Sequence, residues 1–420
     1  MKLSIQNVAR IANAQMEFNG ITVLVGDNNT GKTTVGRIVY SFFNSFVDIA
    51  KRVPRMRQRK YESLLSSFAQ NHGSFFRDNW ASEIELFLKG GEAEEKKFRS
   101  AVKASIEEPC SDADLNELIA NMRKVRDLSD HEIQEQMVTN VFKRTFSGEY
   151  MPARPRDEKK SLVQVTVKGH EFSLNMEREG VRFSADYPIE HDAYFIDTPD
   201  LLSSISQSWI GVRDGLGRSL VRKIVRNMRP TDDSGETAID DILTKDKIDR
   251  ILSRIVSVIH GKVVGQPNNK VGFSDEEMKA SFRLENLSRG VRAFALLQTA
   301  IRYQVLTERD VLILDEPEIH LHPDWLMDYA EILVILQEEL SLTVLVTTHS
   351  AYFLQALQLY ARKHKRLEVL NAYKAVKGDD GNVEITKELK SDDWDDAYLS
   401  FLLAANRLRR LRDEVMGSQA

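Results

Sequence analysis

A glycine-rich segment near the N-terminus limits most strongly what this chain can fold into. Residues 26–33 read GDNNTGKT, which matches the pattern G-x-x-x-x-G-K-[ST] at every position. The apolar run ITVLV precedes this segment, and apolar residues at helical spacing follow it. Glycine permits the sharp turn and lets backbone N–H groups come close to phosphate oxygens. The segment therefore predicts a phosphate-binding loop between a buried strand and a helix.

Two side chains of this loop carry the chemistry of nucleotide binding. Lys32 would place a positive charge on the β- and γ-phosphates, and the Thr33 hydroxyl would be a ligand of Mg²⁺. The N-terminus of the following helix adds partial positive charge. We therefore predict ATP and Mg²⁺ as the bound groups. The predicted nucleotide-binding residues are Gly26, Asp27, Asn28, Asn29, Thr30, Gly31, Lys32, Thr33 and Thr34.

Two carboxylates follow another buried strand. The run VLIL at 311–314 is followed by Asp315 and Glu316, and parallel sheets bind ligands at the carboxyl ends of their strands. Asp315 is predicted to hold Mg²⁺, and Glu316 is predicted to be the catalytic base that polarises the attacking water. The alternative is an acidic cap of the next helix. The phosphate-binding loop in the same chain favours the catalytic interpretation.

Two further segments carry polar residues next to predicted core elements. The run VLVTTHS at 344–350 ends a core strand at His349, which is predicted to contact the γ-phosphate as a catalytic residue. The alternative is a histidine that caps a helix or lies on the surface. The segment LSRGVR at 287–292 begins a predicted helix. Ser288 is either its N-cap or part of a phosphate-binding element, and the order of the motifs favours phosphate binding.

Composition limits the class of protein. The chain has 420 residues, a net charge of -5 and a hydrophobic fraction of 42%, which indicates a globular protein of more than one domain. No apolar run approaches the roughly 20 residues of a membrane-spanning helix, so no membrane partner is expected. The single cysteine, Cys110, excludes an internal disulfide, and the N-terminus lacks the features of a signal peptide. A cytoplasmic location is therefore expected.

Alternating strands and helices after about residue 280 predict a mostly parallel sheet covered on both faces. The expected fold is an α/β P-loop nucleotide hydrolase with an antiparallel β subdomain and a helical insertion. The tail after His349 is expected to complete the edge of the sheet. The predicted segments are a head over 1–50 and 161–400, antiparallel strands over 161–186, a helical part over 201–285, a helical insertion over 51–160 and a C-terminal helix over 400–420.

Three groups of basic residues leave nucleic acid open as a partner. The negative net charge argues against a protein that coats nucleic acid, but it does not exclude a local basic groove. A solvated helix face is the alternative for each group. The groups are Lys51, Arg52, Arg55, Arg57, Arg59 and Lys60; Arg213, Arg218, Arg222, Lys223, Arg226 and Arg229; and Arg407, Arg409, Arg410 and Arg412.

The four motifs, in this order, resemble those of ABC-type ATPases, a group that includes the heads of SMC, Rad50 and RecF-like proteins. They are more narrowly similar to the OLD-family group of prokaryotic AAA ATPases. The strings that carry the resemblance are KLSIQNVARIANAQMEFNGITVLVGDNNTGKTT, LENLSRGVRAFALLQ, ILDEPEIHLHPDW and VLVTTHSAYFLQAL.

The resemblance implies further site residues. In this group a signature motif, usually L-S-G-G-Q, reaches across a dimer to the ATP of the partner, and a D-loop lines the dimer interface. This chain departs from the usual motif because Arg289 stands where a glycine is expected. The residues so assigned are Ser288, Arg289 and Gly290 in the signature motif, His320 and His322 in the D-loop, and Arg10 on the adenine side of the nucleotide.

The resemblance also implies partners. A homodimer or higher oligomer would sandwich ATP between its heads. The segment after His349 is short for the TOPRIM nuclease domain of many OLD-family proteins, and ATPases without it resemble the ATPase subunits of anti-phage systems such as Septu, PARIS and some retrons. The leading hypothesis is therefore an ATP-hydrolysing switch that controls a separate effector, for example a nuclease. The alternatives are a RecF- or Rad50-like DNA-maintenance ATPase and a nucleotide-gated scaffold with negligible hydrolysis.

Overall fold

A computed structural model shows the fold of the chain over residues 1–74, 79–151, 160–185, 187–205, 215–228, 238–266, 270–387 and 409–412. Its strands are β1 (Lys2–Val8), β2 (Ile11–Glu17), β3 (Ile21–Gly26), β4 (Ser161–Val167), β5 (His170–Met176), β6 (Val181–Ala185), β7 (Ala193–Ile196), β8 (Gly261–Gln266), β9 (Lys270–Asp275), β10 (Ala280–Arg283), β11 (Val311–Asp315), β12 (Thr343–Thr348), β13 (Leu370–Lys377) and β14 (Val383–Lys387). Its helices are α1 (Lys32–Phe46), α2 (Ile49–Asn71), α3 (Ala81–Lys89), α4 (Glu92–Lys103), α5 (Asp112–Asp127), α6 (Asp130–Thr145), α7 (Arg218–Asn227), α8 (Ala238–Ile259), α9 (Arg289–Arg302), α10 (Pro323–Leu340) and α11 (Ala351–Lys363).

Most of the described strands belong to one large sheet. Its strand order is β6-β5-β4-β1-β2-β14-β13-β3-β12-β11-β7. Strands β13, β3, β12, β11 and β7 are parallel neighbours, whereas β6, β5, β4, β1 and β2 are antiparallel neighbours. Strands β8, β9 and β10 form a separate antiparallel sheet. The predicted α/β class, with a mostly parallel core and an added antiparallel part, is confirmed.

The parallel core explains why its strands read as continuous apolar runs. Strand β3 is buried along its whole length, and β11 is buried from Val311 to Leu314. Strands covered by helices on both faces cannot alternate between apolar and polar residues. Helix α1 comes especially close to the sheet at Gly36, where a Cβ atom would lie 2.9 Å from the Phe195 ring and 3.0 Å from Ile313. Glycine at this position therefore permits the close packing of the helix that follows the glycine-rich loop.

The chain divides into two compact units. One unit comprises Met1–Ser45, Thr139–Tyr187 and His191–Ala420, and the large sheet lies within it. The other comprises Phe46–Val138 and Pro188–Glu190. Helices α2, α3, α4 and α5 give this second unit a hydrophobic core of its own. The assignment of the two units as an ATPase head and an insertion stays a prediction.

The helical part predicted over 201–285 is wrong in its last third. Helix α8 ends at Ile259, and strands β8, β9 and β10 follow. His260 has a φ of 47°, a left-handed conformation that ends a helix. A Cβ atom at Gly261 would lie 2.4 Å from the Phe273 ring, so no side chain fits where β8 begins beside β9. The apolar spacing of a helix does not by itself show where the helix stops.

The tail after His349 forms a helix, α11, but its strands do not complete the edge of the sheet as expected. Strand β13 pairs in parallel with β3 and antiparallel with β14, so it lies inside the sheet. The sequence of a strand indicates that it is buried, but it does not show which strands flank it. Most of the predicted helix over 400–420 lies outside the described residues, and so do Arg213, Arg229 and Arg407. Within the described residues, no helix is both long enough and apolar enough to cross a membrane.

Candidate nucleotide site

The predicted site residues follow three neighbouring parallel strands. Strand β12 lies between β3 and β11, with Thr348 opposite Val25 and Thr347 opposite Asp315. The phosphate-binding loop after β3, the carboxylates at the end of β11 and the histidine after β12 therefore share one edge of the sheet. This is the carboxyl edge, where open α/β sheets bind their ligands.

The phosphate-binding loop is shaped by hydrogen bonds to its own carbonyl groups. Lys32 is only 4% exposed, and its Nζ donates to the carbonyl oxygens of Gly26 and Asp27, both at 2.9 Å. The Thr30 hydroxyl donates to the Asp27 carbonyl at 2.7 Å. A Cβ atom at Gly26 would lie 2.8 Å from the carbonyl oxygen of Ala375. The loop therefore needs glycine at its start, and it holds the lysine amine beside the backbone that would surround a phosphate.

The side chains that would hold Mg²⁺ are already in contact. The Thr33 hydroxyl donates to Asp315, at 2.8 Å from Oδ2 and 3.1 Å from Oδ1. The Thr347 hydroxyl also donates to Asp315 Oδ1, at 2.5 Å. Burial raises the pKa of Asp315, and the hydrogen bonds from Thr347 and Thr33 oppose that shift. A hydroxyl and a carboxylate are hard oxygen donors of the kind that Mg²⁺ prefers.

Glu316 lies in an unusual backbone conformation. Its φ is 50°, in the left-handed region that non-glycine residues rarely adopt. Its backbone N–H donates to the carbonyl oxygen of Thr347 at 3.0 Å, which fixes the turn after β11. Its Oε1 lies 3.6 Å from Lys32 Nζ and 3.5 Å from His349 Nδ1. Strained residues of this kind cost roughly 1–3 kcal/mol and occur often at functional sites.

His349 stands between two carboxylates. Its Nδ1 lies 3.5 Å from Glu316 Oε1 and 3.5 Å from Glu318 Oε1, while 45% of its side chain is exposed. The ring is therefore not a buried core histidine. The structure brings Lys32, Thr33, Asp315, Glu316 and His349 together, as the sequence motifs lead one to expect, and their individual roles stay predictions.

The turn that carries Arg10 lies beside the loop. Arg10 lies between β1 and β2, and its carbonyl oxygen accepts a hydrogen bond from the backbone N–H of Val383 at 3.0 Å. The next residue, Ile11, approaches the loop so closely that a Cβ atom at Gly31 would lie 3.2 Å from its Cγ1. Thr34 is half-buried in the first turn of α1. These placements agree with a nucleotide-binding role for both residues, which stays a prediction.

The predicted signature residues also have structural functions within this chain. The Ser288 hydroxyl accepts the backbone N–H of Val291 at 3.3 Å and so caps α9. Gly290 packs against α10, since a Cβ atom there would lie 2.9 Å from the Trp325 ring. Ser288 therefore caps a helix, as its alternative interpretation from the sequence expects. The role of these residues in a partner's site stays a prediction.

Asp200 holds the two arginines of the signature segment. Arg292 donates to Asp200 Oδ1 at 2.5 Å, and Arg289 lies 3.4 Å from Asp200 Oδ2.

In the predicted D-loop, His322 caps α10 by accepting the backbone N–H of Asp324 at 3.4 Å. Desolvation, with a smaller contribution from Arg289, lowers the pKa of His320. Each of these segments is thus held by contacts within the chain.

The comparisons with known proteins agree with a P-loop fold. Residues 213–355 match the family described as "AAA domain, putative AbiEii toxin, Type IV TA system". This segment includes the signature residues, the two carboxylates after β11 and His349, whereas the loop at 26–33 lies before it. No curated protein matches the chain in sequence. Over residues 213–355 the chain is therefore similar to AAA-domain proteins, and this agrees with the P-loop fold of the large sheet and the loop at 26–33.

Several solved structures are similar to the chain at 12% sequence identity. One is the SmcHead bound to the C-winged helix domain of ScpA, with 92% of this chain and 96% of that chain covered and a TM-score of 0.46. Another is the SMC head domain from Thermotoga maritima, with 93% and 98% covered and a TM-score of 0.39. A third is the Smc head domain with an extended coiled coil bound to the C-terminal domain of ScpA, from Pyrococcus furiosus, with 98% of both chains covered and a TM-score of 0.42.

Two acidic residues at the site were not singled out from the sequence. Asp197 follows β7, and because Ile196 pairs with Leu314, Asp197 lies next to Asp315 at the same edge. Desolvation, with a smaller contribution from the charge of Asp315, raises the pKa of Asp197. The sequence does contain a signal for Asp197, because an apolar run followed by aspartate is also the pattern at the end of β11. The second residue is Glu318, whose position only the folded turn after β11 reveals.

Proposed function

We propose that this protein binds ATP with Mg²⁺ and hydrolyses the bond between the β- and γ-phosphates, which releases ADP and phosphate. The observation that carries the proposal is the convergence of four side chains at one edge of the sheet, where Thr33 contacts Asp315 and Lys32 Nζ lies 3.6 Å from Glu316 Oε1. A loop that excludes side chains, a buried lysine amine and hard oxygen donors together fit a magnesium nucleotide.

Each side chain then has a distinct task in hydrolysis. Lys32 stabilises the charge that develops on the phosphoryl oxygens, and Thr33 and Asp315 would hold Mg²⁺, which would supply further positive charge beside the phosphates. Glu316 Oε1 accepts a proton from the attacking water. The strained backbone at Glu316 and its hydrogen bond to Thr347 keep this carboxylate at the end of β11. His349 contacts the γ-phosphate from the neighbouring strand.

The active form is proposed to be a homodimer in which Ser288 of each chain completes the ATP site of the other. Two large apolar side chains support a protein surface at this edge. Ile319, three residues after Glu316, is 54% exposed, and Tyr352, three residues after His349, is 78% exposed. Exposed apolar surface marks an interface where it forms a contiguous patch, so the proposed dimer would have to bury these two side chains together. ATP would close the dimer, and hydrolysis would release it.

Substitution of the base tests both parts of this proposal. Glu316→Gln should still bind ATP, but its turnover should fall by about 100-fold or more. The variant should accumulate as a dimer in the presence of ATP and Mg²⁺, and light scattering measures the mass of that dimer. Glu308→Gln is a matched control, because Glu308 is an exposed residue that pairs with Lys247. Wild-type turnover in Glu316→Gln would contradict the assignment of the base. Wild-type protein that binds ATP without turnover would instead favour the nucleotide-gated scaffold.

The biological role is proposed to be the control of a separate effector in prokaryotic anti-phage defence. The family that residues 213–355 match is described by reference to the AbiEii toxin and type IV TA systems, and this supports a role in limiting growth. Expression of wild type, Lys32→Ala and Glu316→Gln together with the neighbouring genes, with and without phage, tests this role. Equal plaque numbers and equal growth in all three strains would contradict it.

A DNA-dependent maintenance ATPase is the second candidate function. Arg222 and Arg226 are exposed one turn apart on α7, whereas Lys223 is engaged by Asp192 at 2.5 Å and by the Tyr194 hydroxyl at 2.9 Å. If α7 contacts phosphates, DNA should stimulate turnover, and replacing both arginines by glutamine should reduce the salt dependence of binding by about one ion per contact. Arg178 and Arg182, exposed outside this group, provide the matched control pair.

A further inference from the structure

The short turn after β11 places a third carboxylate against the end of β12. Glu318 lies in the one-turn 3-10 helix Pro317–His320, and its side chain is only 5% exposed. Its Oε1 accepts the hydroxyl of Thr348 at 2.5 Å and the backbone N–H of His349 at 3.1 Å, and it faces His349 Nδ1 at 3.5 Å. One carboxylate oxygen therefore contacts three groups at the residue pair 348–349.

A buried carboxylate is a costly way to hold a backbone. Burial raises the pKa of Glu318, and the hydrogen bond from Thr348 opposes the shift. Its Oε2 is buried and has no hydrogen-bond partner among the described residues. An unpaired buried oxygen of this kind destabilises the folded state. A neutral amide would satisfy the same hydroxyl and N–H donors, so these two hydrogen bonds by themselves do not require a carboxylate here.

We propose that Glu318 is a positioning residue that holds His349 in the orientation needed for hydrolysis. This inference rests on the proposed ATPase function. Glu318 fixes the backbone of His349 through the N–H bond and turns Nδ1 of the ring inwards, which leaves Nε2 on the opposite side of the ring to meet the phosphate. The second nitrogen of a functional histidine is commonly fixed by a carboxylate in this way.

Glu318 also keeps the catalytic base available. His349 Nδ1 lies at the same distance, 3.5 Å, from Glu316 Oε1 and from Glu318 Oε1. Without the Glu318 carboxylate, His349 Nδ1 would interact with Glu316 alone. Glu316 would then accept a hydrogen bond from the imidazole rather than from the attacking water. The second carboxylate therefore gives His349 Nδ1 a partner other than the proposed base.

A double-mutant cycle tests the inference. The variants are Glu318→Gln, His349→Ala and the double variant, with kcat and KM for ATP measured for each. Glu318→Gln should lower kcat by about 10-fold or more while KM changes by less than about twofold, as for an interaction made only in the transition state. In the His349→Ala background the same change should lower kcat by less than about twofold, because residues that act as a unit are not additive. A merely structural role would instead give additive losses.

Controls separate this inference from the ATPase proposal itself. Glu308→Gln is the matched control, and thermal unfolding checks that each variant folds. If Glu318→Gln does not fold, Glu318→Asp keeps the charge but shortens the side chain, and it should also lower kcat at unchanged KM. Wild-type kcat in the folded Glu318 variants, or equal losses in both backgrounds, would overturn the inference while leaving the ATPase intact. Absence of turnover in the wild type would overturn the proposed function and the inference with it.

Discussion

The Thr33 hydroxyl donates to both carboxylate oxygens of Asp315, at 2.8 Å and 3.1 Å. This contact joins the first turn of the helix after the loop to the end of a strand that lies 282 residues further along the chain. Both side chains are proposed here to hold Mg²⁺. Their contact would therefore make metal binding depend on the register of β3, β12 and β11.

Asp315→Asn should weaken the response to Mg²⁺. The amide keeps a hydrogen-bonding oxygen for Thr33 but loses the negative charge, so we expect the Mg²⁺ concentration for half-maximal turnover to rise by about 10- to 100-fold. Titration of turnover with Mg²⁺, and loss of turnover on chelation, measure this effect. Asp379→Asn, at an exposed position, is the control. An unchanged Mg²⁺ titration in Asp315→Asn would remove Asp315 from the metal site.

Lys32→Ala should weaken nucleotide binding. Hydrogen bonds to charged groups contribute about 1.5–3 kcal/mol each, so we expect affinity for ATP to fall by about 10- to 100-fold. The amine also holds the Gly26 and Asp27 carbonyls and lies 3.6 Å from Glu316, so the loop itself should loosen. Calorimetry with ATP and Mg²⁺ measures the affinity. Lys377→Ala, at an exposed residue, should bind ATP like the wild type.

Gly290→Ala should destabilise the protein through the packing of α9 on α10. The added methyl group would lie 2.9 Å from the Trp325 ring, and overpacking costs about 1–3 kcal/mol, against a helix-propensity gain of up to about 1 kcal/mol. Thermal unfolding measures the balance. Gly265→Ala is the matched control, because nothing lies within 4 Å of its Cβ position. If Trp325→Leu does not relieve the effect of Gly290→Ala, the ring contact is not its cause.

Asp310 should make stability depend on pH. Burial raises the pKa of this carboxyl to about 6, although Thr307 and the backbone N–H of Asp192 donate hydrogen bonds to it. An unfolded aspartate titrates at about 3.9, so the folded state binds the extra proton between about pH 4 and pH 6. This favourable contribution is complete below pH 4 and is lost as the pH rises through 6. The difference corresponds to about 3 kcal/mol.

Asp310→Asn removes that titration. Relative to the wild type, the variant should therefore gain stability as the pH rises from about 4 to about 7, whatever hydrogen bond the amide loses. The free energy of unfolding in urea, measured at several pH values in this window, gives the comparison. A difference between the two proteins that does not change with pH would show that Asp310 does not titrate in this range.

Local sequence patterns were sufficient for the motifs and for the fold class. The glycine-rich loop needs glycine at Gly26 because the backbone of Ala375 lies against it, and this requirement is visible as a fixed residue in a known pattern. The buried strands β3, β11 and β12 read as apolar runs because helices cover both of their faces. Each feature depends on neighbours in the chain or on burial, and both leave a trace in the sequence.

The tertiary structure alone decided which distant residues meet. The apolar spacing of α8 gave no sign that His260 would end the helix, and the sequence of β13 did not show that this strand lies beside β3. Strand pairing depends on which surfaces are complementary across the whole fold, and a single strand carries little of that information.

The candidate site shows the same division. The sequence by itself singled out Lys32, Asp315, Glu316 and His349 as candidates, because each lies at or after the end of a strand in a recognisable motif. Only the folded chain revealed that Glu318 faces the same ring nitrogen as Glu316. That contact depends on the left-handed turn at Glu316, which reverses the chain after β11, and on the parallel register of β11 with β12. Sequence patterns identify chemistry along one segment, whereas contacts between segments follow from how the strands pair.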